Sequence, residues 1–93
     1  MIASFADKAT AAVYFGKRAK RIAPDIYSRA RAKLHVLNVT DNLDDLRLPP
    51  SNHLEKLTGD RNGQYSIRIN QQWRICFEWH DGYAENVEIV DYH

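Results

Sequence analysis

The stretch "YSIRINQQWRICFEW", residues 65–79, decides how the rest of the chain is read. Apolar and polar residues alternate along it, and a strand sends successive side chains to opposite faces of its sheet. Tyr65, Ile67 and Ile69 therefore share one face while Ser66, Arg68 and Asn70 share the other. Past Gln71-Gln72 the alternation resumes: Trp73, Ile75, Phe77 and Trp79 point into a core, and Arg74, Cys76 and Glu78 point away from it. One face apolar and one polar is the pattern of an antiparallel sheet covered on a single side. Beyond it, His80-Asp81-Gly82 is a turn and the run ending in Val87-Glu88-Ile89-Val90 is a further strand.

Toward the N-terminus the period changes. "IASF" (2–5) reads as a short first strand, and from Asp7 the run Ala9 to Phe15 reads as a short helix stopped by Gly16. "GKRAKR" (16–21) is a basic connector. After Pro24, which suits a first helical turn, Ile26, Ala30, Leu34 and Leu37 recur at helical spacing with Arg29, Arg31 and Lys33 between them. From Thr40 to Gly63 the pattern dissolves: Thr40 or Asp41 caps at most one helical turn, Pro49-Pro50 forbids its continuation, and "GDRNG" (59–63) is a turn cluster. A loop this long in a small chain is usually functional or misread. The expected fold class is α+β: a single small domain over residues 1–93, with two N-terminal helices packed on one face of a twisted antiparallel sheet.

Charge is unevenly distributed. Residues 1–40 hold eight Lys or Arg against two acids, whereas the remainder holds five against ten. Such a molecule can offer a basic surface to a polyanion at a small net charge, although a solvated helical face gives the same count. A single cysteine, Cys76, excludes an internal disulfide and sits in an apolar run, as a packing residue does. The start of the chain has neither a basic n-region nor an apolar h-region, and no run has membrane-spanning length, so a cytoplasmic protein without membrane contact is expected. His35, His53, His80 and His93 lack the short paired spacings of zinc sites, and "GDRNG" precedes a strand rather than a helix. No metal is expected.

The polar sheet face carries the candidate chemistry. Arg68 and Arg74 on neighbouring strands point into one space, and forked guanidinium donors suit a phosphate. An exposed arginine pair bridging Glu78 and Glu88 would satisfy the same spacing. Tyr92 shares parity with Glu88 and Val90, which carries it to the arginine face, flanked by Asp91 and His93. Arginine for a phosphate, an aromatic ring for a base, and Asp or His for proton transfer are the parts needed to cut RNA without a metal.

The segments "MIASF" (1–5), Asp45-Leu46, "RLPPSNHLEKLTGDRNGQYSIRINQQWRICFEW" (47–79) and "NVEIVDYH" (86–93) together resemble the HigB toxins of bacterial toxin–antitoxin modules, in the RelE superfamily, with the GraT-like branch nearest in pattern. The likeness runs nearly end to end and is sharpest from Gly59 to Trp79 and in the closing "DYH". It implies a RelE-like microbial ribonuclease fold and a small enzyme that cuts mRNA in the ribosomal A site, with no cofactor, leaving a cyclic phosphate and a 5′-hydroxyl. It also implies partners: a HigA-like helix-turn-helix antitoxin, the 70S ribosome and its mRNA, with the toxin monomeric when free and hetero-oligomeric with its antitoxin.

Asp91, Tyr92 and His93 match the family's terminal acid, tyrosine and histidine, and Arg74 matches its "WR" arginine. Where several HigB toxins place a further active-site histidine this chain has Glu55, with His53 two residues earlier. The general base thus stands open among Glu55, His53, Asp91 and His93. Arg68, Arg61 and His53 would meet the RNA, and Lys17, Arg18, Lys20 and Arg21 would face ribosomal RNA, whose phosphates reward dispersed cations through counterion release. A RelE-like protein that binds without cutting is the other reading. A DNA-binding repressor is disfavoured, since no helix-turn-helix pattern is present.

Overall fold

In the computed structural model, which describes residues 1–92, the Asp7 side chain accepts a hydrogen bond from the Thr10 backbone N–H at 2.9 Å and starts helix α1 (Lys8–Tyr14). Gly16 ends it at φ +79, and a β-carbon there would meet the Arg31 guanidinium carbon at 3.3 Å, so glycine serves both the backbone and the close approach. Pro24 opens a 3-10 turn (Pro24–Ile26) that runs directly into helix α2 (Tyr27–Val39).

The sheet is four-stranded, antiparallel throughout and in sequence order: β1 (Glu55–Lys56), β2 (Gln64–Arg68), β3 (Trp73–His80) and β4 (Tyr83–Asp91). Val13, Ile26, Ala30, Leu34 and Leu37 of the helical half pack with Ile67, Ile75, Phe77, Val87 and Ile89 of the sheet, so both helices cover one face as the alternation requires. Burying each of these side chains other than Ala30 contributes roughly 1.5–3 kcal/mol. The β3–β4 hairpin turns at Asp81 and Gly82, both at positive φ (50° and 87°), the backbone of a tight hairpin turn.

Two expectations are corrected. "IASF" is not a strand of its own; Ile2 and Phe5 form isolated parallel bridges to Ala84 and Val87, so the N-terminal segment lies along the outer edge of β4. Thr10, fully buried, accepts the Ile89 N–H at 2.9 Å and satisfies that edge further along. The long loop is also less irregular than its sequence suggests. It holds 3-10 turns at Leu43–Arg47, Pro50–Asn52 and Gly59–Arg61, and the two-residue β1, too short for any periodicity to register. Neither Thr40 nor Asp41 caps the first of these turns; the Asn42 side chain does, accepting the Asp44 N–H at 3.0 Å.

Pairing between β3 and β4 slips by one residue between Cys76 and Glu78, where Asn86 takes a left-handed backbone (φ 52) and Val87 and Asn86 together face Phe77. This bulge moves the core-facing positions of β4 from Ala84 to Val87 and Ile89, and so sends Glu88, Val90 and Tyr92 to the face opposite the helices. Among the described residues no helix is long and apolar enough to cross a membrane.

Candidate active site

On the face away from the helices, the register aligns Glu55, Ser66, Cys76 and Glu88 in one row across all four strands, and Arg68, Arg74 and Val90 in the next. Arg68 and Arg74 are direct cross-strand partners, an arrangement that like charges disfavour. Arg74 is not on an open surface as expected: it is 6% exposed. Its Nε donates to Ser66 Oγ at 2.8 Å, and its Nη2 donates to the His53 carbonyl at 2.6 Å and, more weakly, to the Ser66 carbonyl at 3.5 Å. The 50–56 segment folds over this edge because His53 adopts a left-handed backbone (φ 44), which turns its carbonyl onto the guanidinium. Among the described residues the ion-pair partner of Arg74 is Glu55, at 3.9 Å. The alternative of Arg68 and Arg74 bridging Glu78 and Glu88 does not hold, since Glu88 is taken by Arg61 (3.1 Å) and Glu78 by His80 and Asn86.

The Tyr92 ring lies 5.9 Å from the Arg74 guanidinium carbon, a cation–π contact, and its backbone N–H donates to the Gln72 carbonyl at 2.5 Å, so the pairing carries on past β4. Asp91 stands opposite Trp73, and both of its carboxylate oxygens accept from Gln72 Nε2 at 3.1 and 3.2 Å. His93 lies outside the described residues. Tyr92, Asp91, Glu55, Lys56, Asp60 and Arg61 line an open groove of about 570 Å³. Arg61, expected as a free RNA contact, is instead tied to Gln64 and Glu88 at 3.1 Å each.

Two pKa shifts follow from this packing. Burial raises the Cys76 thiol, with Arg61 pulling against it, so the thiol stays protonated at neutral pH. Burial and the neighbouring Cys76 likewise push the Tyr92 hydroxyl up against the pull of Arg61 and Arg74. Tyr92 is therefore a neutral phenol at neutral pH, able to donate and to stack.

The structure brings Tyr92, Asp91, Glu55 and Arg61 to one groove, with Arg74 beside it against the Tyr92 ring and Glu55, and with Arg68 and His53 on the other flank. It does not bring the basic connector there: Lys17, Arg18 and Lys20 are exposed at the helical end, and Lys17 and Arg18 line a groove between α1 and α2. Arg21 is not a free cation, because its Nη2 pairs with Asp7 at 2.5 Å and reaches Thr10 Oγ1 at 3.3 Å, bracing the start of α1. Sequence reasoning missed Ser66, which fixes the Arg74 guanidinium; its parity with Arg68 was the available signal. It also missed Gln72, which holds Asp91 and the Tyr92 backbone and gives no signal of its own. At the hairpin, Glu78, His80 and Glu85 offer ligand atoms within 4.8 Å of one another, although none is buried and two are already bonded together.

Two helices on one face of a four-stranded antiparallel sheet make a RelE-like fold. Residues 3–93 match the family model described as RelE-like toxin of type II toxin–antitoxin system HigB. The chain is 38% identical over 87 residues to the Toxin HigB-1 of Vibrio cholerae serotype O1, covering 92% of each. It is 42% identical over 40 residues to the Endoribonuclease HigB of Proteus vulgaris, 43% of this chain and 44% of that one. Among solved structures, the YoeB–YefM complex from Staphylococcus aureus matches with a TM-score of 0.56 at 15% identity, over 100% of this chain and 98% of that one, a likeness of fold. The chain belongs to the HigB family of type II toxin–antitoxin toxins.

Proposed function

We propose that this toxin is an endoribonuclease that cuts mRNA on the ribosome by acid–base chemistry carried by its own side chains. The observation that carries the reading is Arg74, held by Ser66 and the His53 carbonyl beside the Tyr92 ring on the uncovered sheet face. Nη1 of Arg74 makes no hydrogen bond among the described residues and is left for a phosphate oxygen. In the reaction, a base takes the ribose 2′-hydroxyl proton, the freed oxygen attacks phosphorus, and the bond to the 5′-oxygen breaks as an acid protonates it. Arg74 stabilises the charge gathering on the phosphoryl oxygens, and Tyr92 stacks on a base. Asp91, Glu55, His53 and His93 are the candidates for base and acid. Ribosome binding supplies the bent mRNA, which explains how so few groups suffice. Lys17, Arg18 and Lys20 meet ribosomal RNA, and the antitoxin of the module is a HigA-like helix-turn-helix protein.

The test is cleavage of a reporter mRNA in a translation extract, mapped by primer extension, with naked mRNA as control. Cleavage only during translation, lost in His93→Gln, supports the proposal. Intact mRNA with retained ribosome association supports the binding-only alternative, for which the buried, largely satisfied Arg74 is the favouring observation.

A further inference from the structure

A second cationic feature stands apart from the groove that holds Glu55 and Asp91. Between α2 and the β2–β3 turn lies a cleft of about 430 Å³ walled by Arg29, Lys33, His53 and Arg68, with Asn70 and Gln71 at its mouth. Among the described residues no carboxylate lines it. We propose that this cleft is a second anion site, which holds a backbone phosphate of the single-stranded RNA beyond the nucleotides being cut. The proposal deepens the ribonuclease reading and rests on it.

Electrostatics is the first argument. Arg29 and Lys33 are one helical turn apart on α2, a spacing at which like charges repel, and Arg68 faces Arg74 directly across the sheet. Arg29, Lys33 and Arg68 have no ion pair among the described residues, whereas Arg21, Arg47, Arg61 and Arg74 each do. Asp25, four residues before Arg29, lines an adjoining groove with Arg29 and Asn70 but not this cleft. Burial and the charge of Arg29 both lower the Lys33 pKa, so the repulsion is felt in the folded state. The remaining partners of these cations are neutral: Lys33 donates to the Asn52 side chain, and Arg29 to the Ile69 carbonyl at 3.4 Å. A fold that keeps cations together without a counter-charge leaves that role to a ligand, and a phosphate oxyanion matches forked and point donors together.

Continuity is the second argument, and it selects a polymer over a small anion. A shallow groove formed by Asn70, Gln71, Gln72 and Tyr92 joins the two sites. It shares Asn70 and Gln71 with the basic cleft and Tyr92 with the groove of Glu55 and Asp91. Arg74 lies beneath the junction, bonded to the His53 carbonyl on one side and close to the Tyr92 ring on the other. A strand stacked on Tyr92 thus has a polar path, lined by amides, to a pocket of positive charge. Stacking platforms beside cationic tracks are how proteins hold unpaired nucleic acid.

The test is fluorescence anisotropy with a 2′-O-methylated single-stranded oligoribonucleotide, which cannot be cut, measured across a range of salt. The variants are Arg29→Gln combined with Lys33→Gln, which keeps a donor for Asn52, and separately Gln71→Glu, an exposed change that places an acid at the cleft mouth. Weakening the hold on that one phosphate should lower affinity on the order of tenfold at low salt and reduce the slope of log affinity against log salt by up to about 0.7. Gln71→Glu should weaken binding in the same direction. Affinity and slope unchanged in both variants would overturn the cleft, as would a wild-type protein that does not bind the oligonucleotide. The two readings fail separately: binding that depends on the cleft without mRNA cleavage sinks the enzymatic proposal alone, and cleavage with cleft-independent binding sinks the cleft alone.

Discussion

Arg74 and Tyr92 meet across the sheet with the guanidinium carbon 5.9 Å from the ring centre, while the same guanidinium reaches back to the His53 carbonyl at 2.6 Å. One buried cation thereby ties the end of β4 to the loop that precedes β1. The consequences for activity and for stability can be separated by substitution.

Tyr92→Phe keeps the ring and its cation contact, and should retain cleavage to within about tenfold. Tyr92→Ala should lose roughly ten- to a hundredfold, the equivalent of about 1–3 kcal/mol of stacking. Single-turnover cleavage on programmed ribosomes measures both, and a Phe variant as poor as the Ala variant would give the hydroxyl a direct role.

For Arg74 the stability effect is larger than an exposed arginine would show. Arg74→Ala leaves the buried Ser66 hydroxyl and the partly buried His53 carbonyl without their partner, a cost of about 1–3 kcal/mol in denaturant unfolding. Arg74→Lys keeps the charge but not the fork. It should unfold less readily than the Ala variant, yet cleave about a hundredfold more slowly than wild type. Full activity in Arg74→Lys would show that charge alone suffices.

Acid sensitivity has a definite origin at Asp7. Burial alone would raise its pKa, but the Thr10 backbone N–H and hydroxyl and the Arg21 guanidinium hold it below the ordinary 3.8. A carboxylate depressed in the folded state stabilises the fold above its unfolded pKa and loses that contribution as pH falls through the folded one. Asp7→Ala should therefore melt lower than wild type at neutral pH, by the equivalent of about 1 kcal/mol for a lost helix cap. The gap should close below about pH 4. A gap that persists into strong acid would assign the effect to packing.

Cys76 is buried, with a raised pKa. Iodoacetamide should leave it unmodified in the native protein at neutral pH and label it fully in guanidinium, as read by mass spectrometry. Prompt native labelling would mean that the polar face opens.

Reversal of Lys17, Arg18 and Lys20 to Glu should weaken pelleting with ribosomes on the order of a hundredfold at moderate salt, with the melting temperature unchanged. Arg21 is left out because its bond to Asp7 would confound the reading. Salt-independent association of the variant would reject a role for this segment.

The sheet was legible because Tyr65 to Asn70 and Trp73 to Trp79 alternate on either side of Gln71-Gln72, and α2 because Ile26, Ala30, Leu34 and Leu37 repeat at helical spacing. The resemblance in "GDRNGQYSIRINQQWRICFEW" and "DYH" carried the family. What stayed hidden depends on contacts between distant residues. Nothing local marks Glu55-Lys56 as a strand, because two residues hold no period and pair only once β2 is in place. The burial of Arg74 was equally out of reach, since it arises from a loop folding over a face that alternation leaves open. Arg21 and Arg61 looked like free cations because their partners, Asp7 and Glu88, are far along the chain.

The Asn86 bulge bears on how this sheet tolerates change. Between Ala84 and Val87, both core-facing, the chain spends one residue more than a regular strand allows, and the surplus is absorbed at a single left-handed position. The two halves of β4 therefore keep separate phase. The hairpin half takes its order from Asp81-Gly82, and the half that leads to Tyr92 takes its order from Val87 and Ile89 against β3. Asn86 acts as a slip joint: alterations of length or twist at the hairpin tip are taken up there, and the side chains that would meet RNA stay in step with the core behind them.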